Sequence, residues 1–249
     1  MTLTGRRVVV TGGSRGIGRA IVLACAREGA AVAFTYVAND AAAEETATAA
    51  RAAGGTVLAL RSDVADAEAV AACFRDVKVA LGGAPDVLVN NAAVTHDGLL
   101  MLTGDAAWDR VIDTNLKGPF LCSKAALRGM IAGKWGRVVN VVSPAAFLGK
   151  EGAGAYAASK GGLVALTKTL AREVARYGIT VNAVSPGLVE TELVAGMAPA
   201  QRQALEARIP LARVATPDEV AAAVLHLLSP ASAYVTGTTL HVDGGLTML

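Results

Sequence analysis

Short, nearly continuous apolar runs alternate along the whole chain with longer stretches of helical periodicity. The runs fall at 7–10, 32–36, 57–60, 87–90, 138–142, 180–184 and 239–242, and they predict seven strands. Apolar residues follow one another in these runs instead of alternating with polar ones, so each strand is expected to be covered on both faces. The stretches between them are long enough for right-handed helical crossovers, which predicts an α/β fold with a doubly wound parallel sheet and helices on both faces. Residues 41–53 are alanine-rich but read as an ordinary helix, and Asp66 is placed to cap the helix that begins at Ala67.

No Pro/Ser-rich linker, charge block or repeat interrupts this alternation, so residues 1–249 read as a single domain. The 23 basic and 21 acidic residues are dispersed and leave a formal net charge of +2, which gives no footprint for nucleic acid or an anionic membrane. The chain enters its first strand within a few residues and has no apolar run of about 18 residues, so neither a signal sequence nor a membrane span is expected, and the cytoplasm is the default location. Cys25, Cys73 and Cys122 are widely separated and odd in number, which favours buried thiols over a disulfide. His96, His226 and His241 share no ligand spacing, so no metal site is expected. A hydrophobic fraction of 53% with 18% charged residues is high for a monomer and points to surface covered by other subunits.

Candidate chemistry begins with Tyr156-Ala-Ala-Ser-Lys160, preceded thirteen residues earlier by Ser143. A spacing of four places Tyr156 and Lys160 on one face of a helix. A phenol ionises near pH ~10, and a neighbouring ammonium is expected to bring it toward neutrality. Tyr-x-x-x-Lys alone is a weak signal that any amphipathic helix can carry. The other end of the chain changes its weight. Thr11-Gly12-Gly13-Ser14-Arg15-Gly16-Ile17-Gly18 follows the run Val8-Val9-Val10 and leads into a helix. A strand, a glycine turn and a helix N-terminus make an anion site suited to a diphosphate. The motif residues Gly12, Asp63, Asn90, Ser143 and Pro186 all fall at or just after strand ends, where doubly wound sheets bind ligands.

With both motifs present, the chain resembles the short-chain dehydrogenase/reductase family, a Rossmann-type fold, over essentially its full length. Asp63-Val64 resembles the family's adenine-contacting pair, and Asn90-Asn91-Ala92-Ala93 its Asn-Asn-Ala-Gly stretch, with Ala93 replacing the usual glycine. Asn115, twenty-eight residues before Ser143, occupies the place of the fourth catalytic residue. It sits mid-helix, where asparagine is a poor helix former, and a local distortion there would free a carbonyl for a water relay. Pro186-Gly187 with Val189 and Thr191 resembles the nicotinamide-binding segment, and Pro144 departs from the small residue common after the serine. The resemblance implies Asn115, Ser143, Tyr156 and Lys160 as catalytic residues. It implies cofactor contacts from Gly12, Ser14, Arg15, Gly16, Ile17, Gly18, Asp63, Val64, Asn90, Ala92, Tyr156, Lys160, Pro186, Gly187, Val189 and Thr191.

The end of the second strand reads Phe34-Thr35-Tyr36-Val37-Ala38-Asn39, with no acid until Asp40 to bind a ribose 2′-hydroxyl. Arg15 can supply positive charge there, so NADP(H) is the expected cofactor and reduction the expected direction. Thr95-His96-Asp97-Gly98-Leu99-Leu100-Met101, the helix 167–174 and Gly237-Thr238-Thr239-Leu240-His241-Val242-Asp243-Gly244-Gly245 resemble segments of the 3-oxoacyl-[acyl-carrier-protein] reductases. This implies reduction of an acyl thioester borne on acyl carrier protein, with Tyr156 as proton donor and a homotetrameric assembly. A lid at 188–214 is expected, with Phe147, Leu148, Leu193 and Met197 against the acyl chain and Lys134, Arg137, Arg172 and Arg176 as candidates for carrier docking. Two alternatives stay open: a ketoreductase of a polyketide or 3-oxoacyl-CoA pathway, and a non-catalytic dinucleotide-binding protein.

Overall fold

Valine-rich strands that bury both faces need helices on both sides, and the chain supplies them by alternation. The computed structural model describes residues 3–248, with the backbone alone for Leu193; the expectation of no leader falls partly on Met1 and Thr2, outside the described residues. The strands are β1 (Arg7–Val10), β2 (Ala31–Tyr36), β3 (Val57–Arg61), β4 (Val87–Asn90), β5 (Gly136–Val141), β6 (Ile179–Pro186) and β7 (Thr239–Val242). They form one parallel sheet in the order β3-β2-β1-β4-β5-β6-β7. The order reverses between β1 and β4, which opens a crevice beyond their carboxyl ends. Strand positions agree with the sequence pattern to within two residues. The largest differences are β5, which begins at Gly136, and β6, which runs on to Pro186 in register with Val242.

Period-two alternation within the apolar runs sorts each side chain to one of two cores. Val8 and Val10 face helices α1 (Gly16–Arg27), α2 (Asp40–Ala52) and α10 (Pro217–Leu228), where Ile21, Ala47 and Val224 are buried. Val9 faces α3 (Ala67–Ala80), α5 (Gly118–Gly133) and α7 (Gly154–Val174), packing with Phe74, Met130 and Ala171. Burial of one such side chain contributes roughly 1.5–3 kcal/mol, so the sheet is a stiff platform for whatever its loops carry. Asp66 caps α3 as expected, accepting from the Glu68 and Ala69 amides at 2.8 and 3.2 Å. All three cysteines are buried and free, and burial pushes the Cys25 and Cys122 thiols up to about 12.

The remaining helices stand around the carboxyl edge or connect to it: α4 (Asp105–Ile112), α6 (Ala145–Leu148), α8 (Glu192–Ala195) and α9 (Pro199–Glu206). The segment bearing α8 and α9 leaves from β6 and returns through a parallel bridge between Val189 and Ala215. Arg202 braces it internally, donating to Glu206 at 2.8 Å and to Glu190 at 3.1 Å. Among the described residues no helix is long and apolar enough to cross a membrane, and no cluster of metal-ligating side chains is present.

Candidate active site

The glycine turn is a close approach of two backbones. Gly12 has φ +67°, and a Cβ on it would stand 2.9 Å from Ala92 Cα; a Cβ on Gly18 would overlap the Gly12 carbonyl oxygen. The loops after β1 and β4 are stitched together there. Asn91 Nδ2 donates to the carbonyls of Thr11 and Gly12, both at 3.0 Å, and Thr11 Oγ1 accepts from the Asn91 and Ala92 amides at 3.0 Å. Ser14 is held from behind, its carbonyl accepting from Thr46 Oγ1 at 2.9 Å. Gly16 and Ile17 open α1, leaving free amides toward the crevice. Arg15, immediately before that helix, is exposed and pairs with Glu192 at 2.9 Å.

Farther along the same crevice, Ser143 lies just beyond β5, and α7 presents Tyr156 and Lys160 on one face. Lys160 is almost completely buried and donates to the Val141 carbonyl at 2.7 Å; desolvation lowers its pKa to about 8. The phenol of Tyr156 is shifted upward, because burial outweighs the opposing influence of the Ser143 hydroxyl beside it. This corrects the expectation that Lys160 brings the phenol down. The ammonium is 5.8 Å from the ring centroid and is engaged by Val141, so in the ligand-free protein it does not offset desolvation of the phenol. A phenol held in its neutral form still suits a proton donor.

Asn115 sits in a π-helical turn at Asp113–Lys117, the local distortion that an asparagine in mid-helix led us to expect. Its side chain is fully buried and clamps Val94 from both sides, accepting from the amide at 2.8 Å and donating to the carbonyl at 2.9 Å. Its Nδ2 also reaches Ser159 Oγ at 3.2 Å, and Ser159 donates to the Tyr156 carbonyl at 2.7 Å. Ser159 therefore ties the loop after β4 to the turn of α7 that bears Tyr156. Sequence reasoning passed over it, although it stands between the two motif residues.

A cavity of about 520 Å³ brings Ile17, Ser143, Tyr156, Lys160, Pro186, Gly187, Val189 and Thr191 together, with Leu148 and Met197 along its apolar wall. Ala93 lines it as well, so its methyl meets open space and needs no repacking. Pro144 starts the short helix α6 with φ −50° and ψ −30°, values its ring favours. Other expected residues lie elsewhere. Asp63 is exposed and closes a turn by accepting from the Ala65 amide at 2.9 Å, while Val64 is buried against Gly118. The Asn90 side chain turns into the core, donating to Asn140 Oδ1 at 2.8 Å, so toward the crevice it has only backbone to offer.

Two expectations need correction. Phe147 does not line the cavity; it packs against Val142, Leu163 and Val164 and meets the His241 ring edge-on at 5.0 Å. The Leu193 side chain lies outside the described residues. Lys134, Arg137, Arg172 and Arg176 all precede β5 or β6 or stand at the start of β5, the sheet edge opposite the cavity, so within one chain they do not reach its mouth. Arg137 is also buried, donating to the Gly136 and Gly178 carbonyls.

A glycine turn facing a Ser–Tyr–Lys set across one sheet edge is the construction of a dinucleotide-dependent oxidoreductase. A family model described as enoyl-(acyl carrier protein) reductase matches residues 12–247. The chain is 43% identical over 249 residues to the 3-oxoacyl-[acyl-carrier-protein] reductase FabG of Vibrio harveyi, covering 100% of both chains. It is 43% identical over 248 residues to the FabG of Pseudomonas aeruginosa, again with 100% coverage of each. Its backbone is similar to that of a mutant short-chain dehydrogenase/reductase from Serratia marcescens, at TM-score 0.93 and 40% identity over 99% of this chain and 100% of that one. A putative short-chain alcohol dehydrogenase from Sinorhizobium meliloti 1021 matches at TM-score 0.94 and 38% identity, covering 99% and 98%. The chain belongs to the short-chain dehydrogenase/reductase family.

Proposed function

We propose that this protein reduces a 3-oxoacyl thioester, carried on acyl carrier protein, to the 3-hydroxyacyl thioester with NADPH. The observation that carries the reading is the convergence of the Ser143 hydroxyl and the neutral Tyr156 phenol in a cavity with an apolar wall. Two hydroxyls aimed at one point suit a ketone oxygen, which gains charge as hydride reaches its carbon. Ser143 orients that oxygen and Tyr156 gives it a proton. Lys160, still charged at neutral pH, faces the ribose of the nicotinamide half and steadies the phenolate left behind. The π-turn at Asn115 leaves backbone carbonyl capacity for the water that returns the proton.

The dinucleotide supplies the hydride when bound, and the residues present fit it: Gly12 and Gly18 keep a cradle that a Cβ would fill, and the α1 amides face a diphosphate. Pro186, Gly187, Val189 and Thr191 lie where the nicotinamide amide would be held. No acid stands within β2 itself to take a ribose 2′-hydroxyl, and the exposed Arg15 of the glycine turn, held among the described residues by Glu192 alone, supports a 2′-phosphate as its ligand. A homotetramer belongs to the same reading, supported by exposed Phe120 and Ile131 on α5. The test is NADPH absorbance with a short 3-oxoacyl thioester. Wild type is expected to consume it, and Tyr156→Phe to lose about 10²–10⁴-fold in kcat with cofactor affinity retained. Undiminished consumption by Tyr156→Phe would refute the proton donor, and none by wild type would leave a binding protein.

A further inference from the structure

The cations around the cavity differ in what holds them. On the covering segment, Arg202 is tied to Glu190 and Glu206, and Arg213 to Glu219 at 2.9 Å. Arg15 is paired with Glu192. Arg208, on the same segment, lines the cavity and is exposed, and its guanidinium has no partner among the described residues. A side chain that both lines a cavity and meets solvent stands at its rim. Lys150, from the loop after α6, also lines the cavity and is exposed; among the described residues its ammonium makes one ion pair, a 3.6 Å approach to the exposed carboxylate of Asp97. Between these cations the wall is apolar, with Leu148, Met197, Leu205 and Ile209.

We propose that Arg208, assisted by Lys150, binds the phosphate of the pantetheine arm that carries the acyl group, a proposal that rests on the 3-oxoacyl thioester reading above. With the ketone at Ser143 and Tyr156, the acyl tail belongs against the apolar wall and the arm must leave across the rim. The arm is uncharged through its two amides, and its phosphate is the first anion along it. A guanidinium with its fork unoccupied matches a phosphate in charge and geometry, whereas the paired arginines nearby would have to give up carboxylates first. Carrier protein and coenzyme A bear the same phosphorylated arm, so the contact serves either source.

The test compares 3-oxobutyryl-4′-phosphopantetheine with 3-oxobutyrylpantetheine in wild type, Arg208→Gln and Arg208→Lys. Arg208→Gln is expected to raise KM for the phosphorylated thioester about fivefold, the effect of one exposed charge pair, and to leave KM for the unphosphorylated one and both kcat values unchanged. Arg208→Lys should restore part of the loss, and high salt should erase the wild-type preference for the phosphorylated form. Carrier-protein and coenzyme A thioesters run in parallel show whether both sources use the contact. Equal effects of Arg208→Gln on the two pantetheine thioesters, or no effect on either, would overturn the proposal. Failure of wild type to turn over any thioester would instead remove the function on which it rests.

Discussion

The two ends of the crevice are built from opposite materials. At the carbonyl end Asn115, Ser159 and Lys160 are buried side chains, each with its polar atoms committed to protein partners. At the other end, where the proposed function puts the cofactor's phosphates, stand bare glycine backbone and Arg15, whose side chain is 68% exposed. The first arrangement fixes geometry, because a buried polar group that shifts loses a bond it cannot replace from water. The second leaves an adjustable charge at the surface, where changing partners costs little. On the proposed function, chemistry and cofactor choice are thus separately tunable in one crevice.

The sharpest way to break this contrast is at Asn115. Asn115→Leu keeps volume but leaves the Val94 amide and carbonyl unpaired, and roughly 2–6 kcal/mol of stability should be lost, at about 1–3 kcal/mol for each stranded group. A shift in the denaturant midpoint at constant m-value reads this. A negligible change would mean that water takes over the clamp and that the carbonyl end is no more committed than the surface. At the other end the backbone itself is the vulnerable part. In Gly18→Ala the new methyl collides with the Gly12 carbonyl oxygen, and relief of that overlap should weaken NADPH binding by about ten- to a hundredfold, the equivalent of about 1–3 kcal/mol of overpacking. Calorimetric titration of the variant measures it.

That asymmetry also explains what was legible in the sequence. Backbone-driven features could be read directly: the strand runs, the glycine turn, the Asp66 cap and the distortion at Asn115 all follow from local propensity. What could not be read depends on which face of an element meets which neighbour. Phe147 is apolar and close to Ser143 in sequence, yet α6 directs it toward Leu163 and His241 instead of the cavity. The four basic candidates were chosen for charge, and the sheet's direction puts them at its far edge. Arg208 differs from Arg202 and Arg213 in lining the cavity and in lacking a carboxylate partner among the described residues, which no spacing rule shows. The role of Ser159 emerges only when the loop after β4 is seen beside α7. Whether Lys160 tunes Tyr156 is similarly a matter of distance, since helical spacing alone placed the pair together without revealing the Val141 carbonyl between their roles.

The buried ammonium sharpens the comparison through pH. Lys160 holds its proton only to about pH 8 in the folded chain, and the unfolded chain holds the same proton to about 10.4. Between those values the unfolded state binds more protons, so this group makes ligand-free protein more stable as pH rises from about 8 toward 10. Below about 8 both states are protonated and the burial penalty stands in full. Lys160→Met should remove that rise, which thermal melts of both proteins across the range would show as converging curves. Melts that stay parallel would mean that the ammonium is solvated in the native state.

Glu192→Gln has the smallest expected effect and isolates the adjustable charge. On the proposed function the carboxylate and a cofactor 2′-phosphate compete for the same Arg15 guanidinium, so NADPH would have to displace Glu192 to gain the contact. Both side chains are largely exposed, and such a pair is weak, which limits the change to about two- to threefold tighter NADPH binding. NADH carries no phosphate to compete, and its affinity should stay where it is. The selectivity ratio therefore rises through one term only, a pattern that fluorescence titration of the two cofactors can resolve. Equal tightening of both would show that Glu192 acts by holding the covering segment and not by occupying Arg15, and the phosphate end would then be less independent of its lid than the exposed geometry implies.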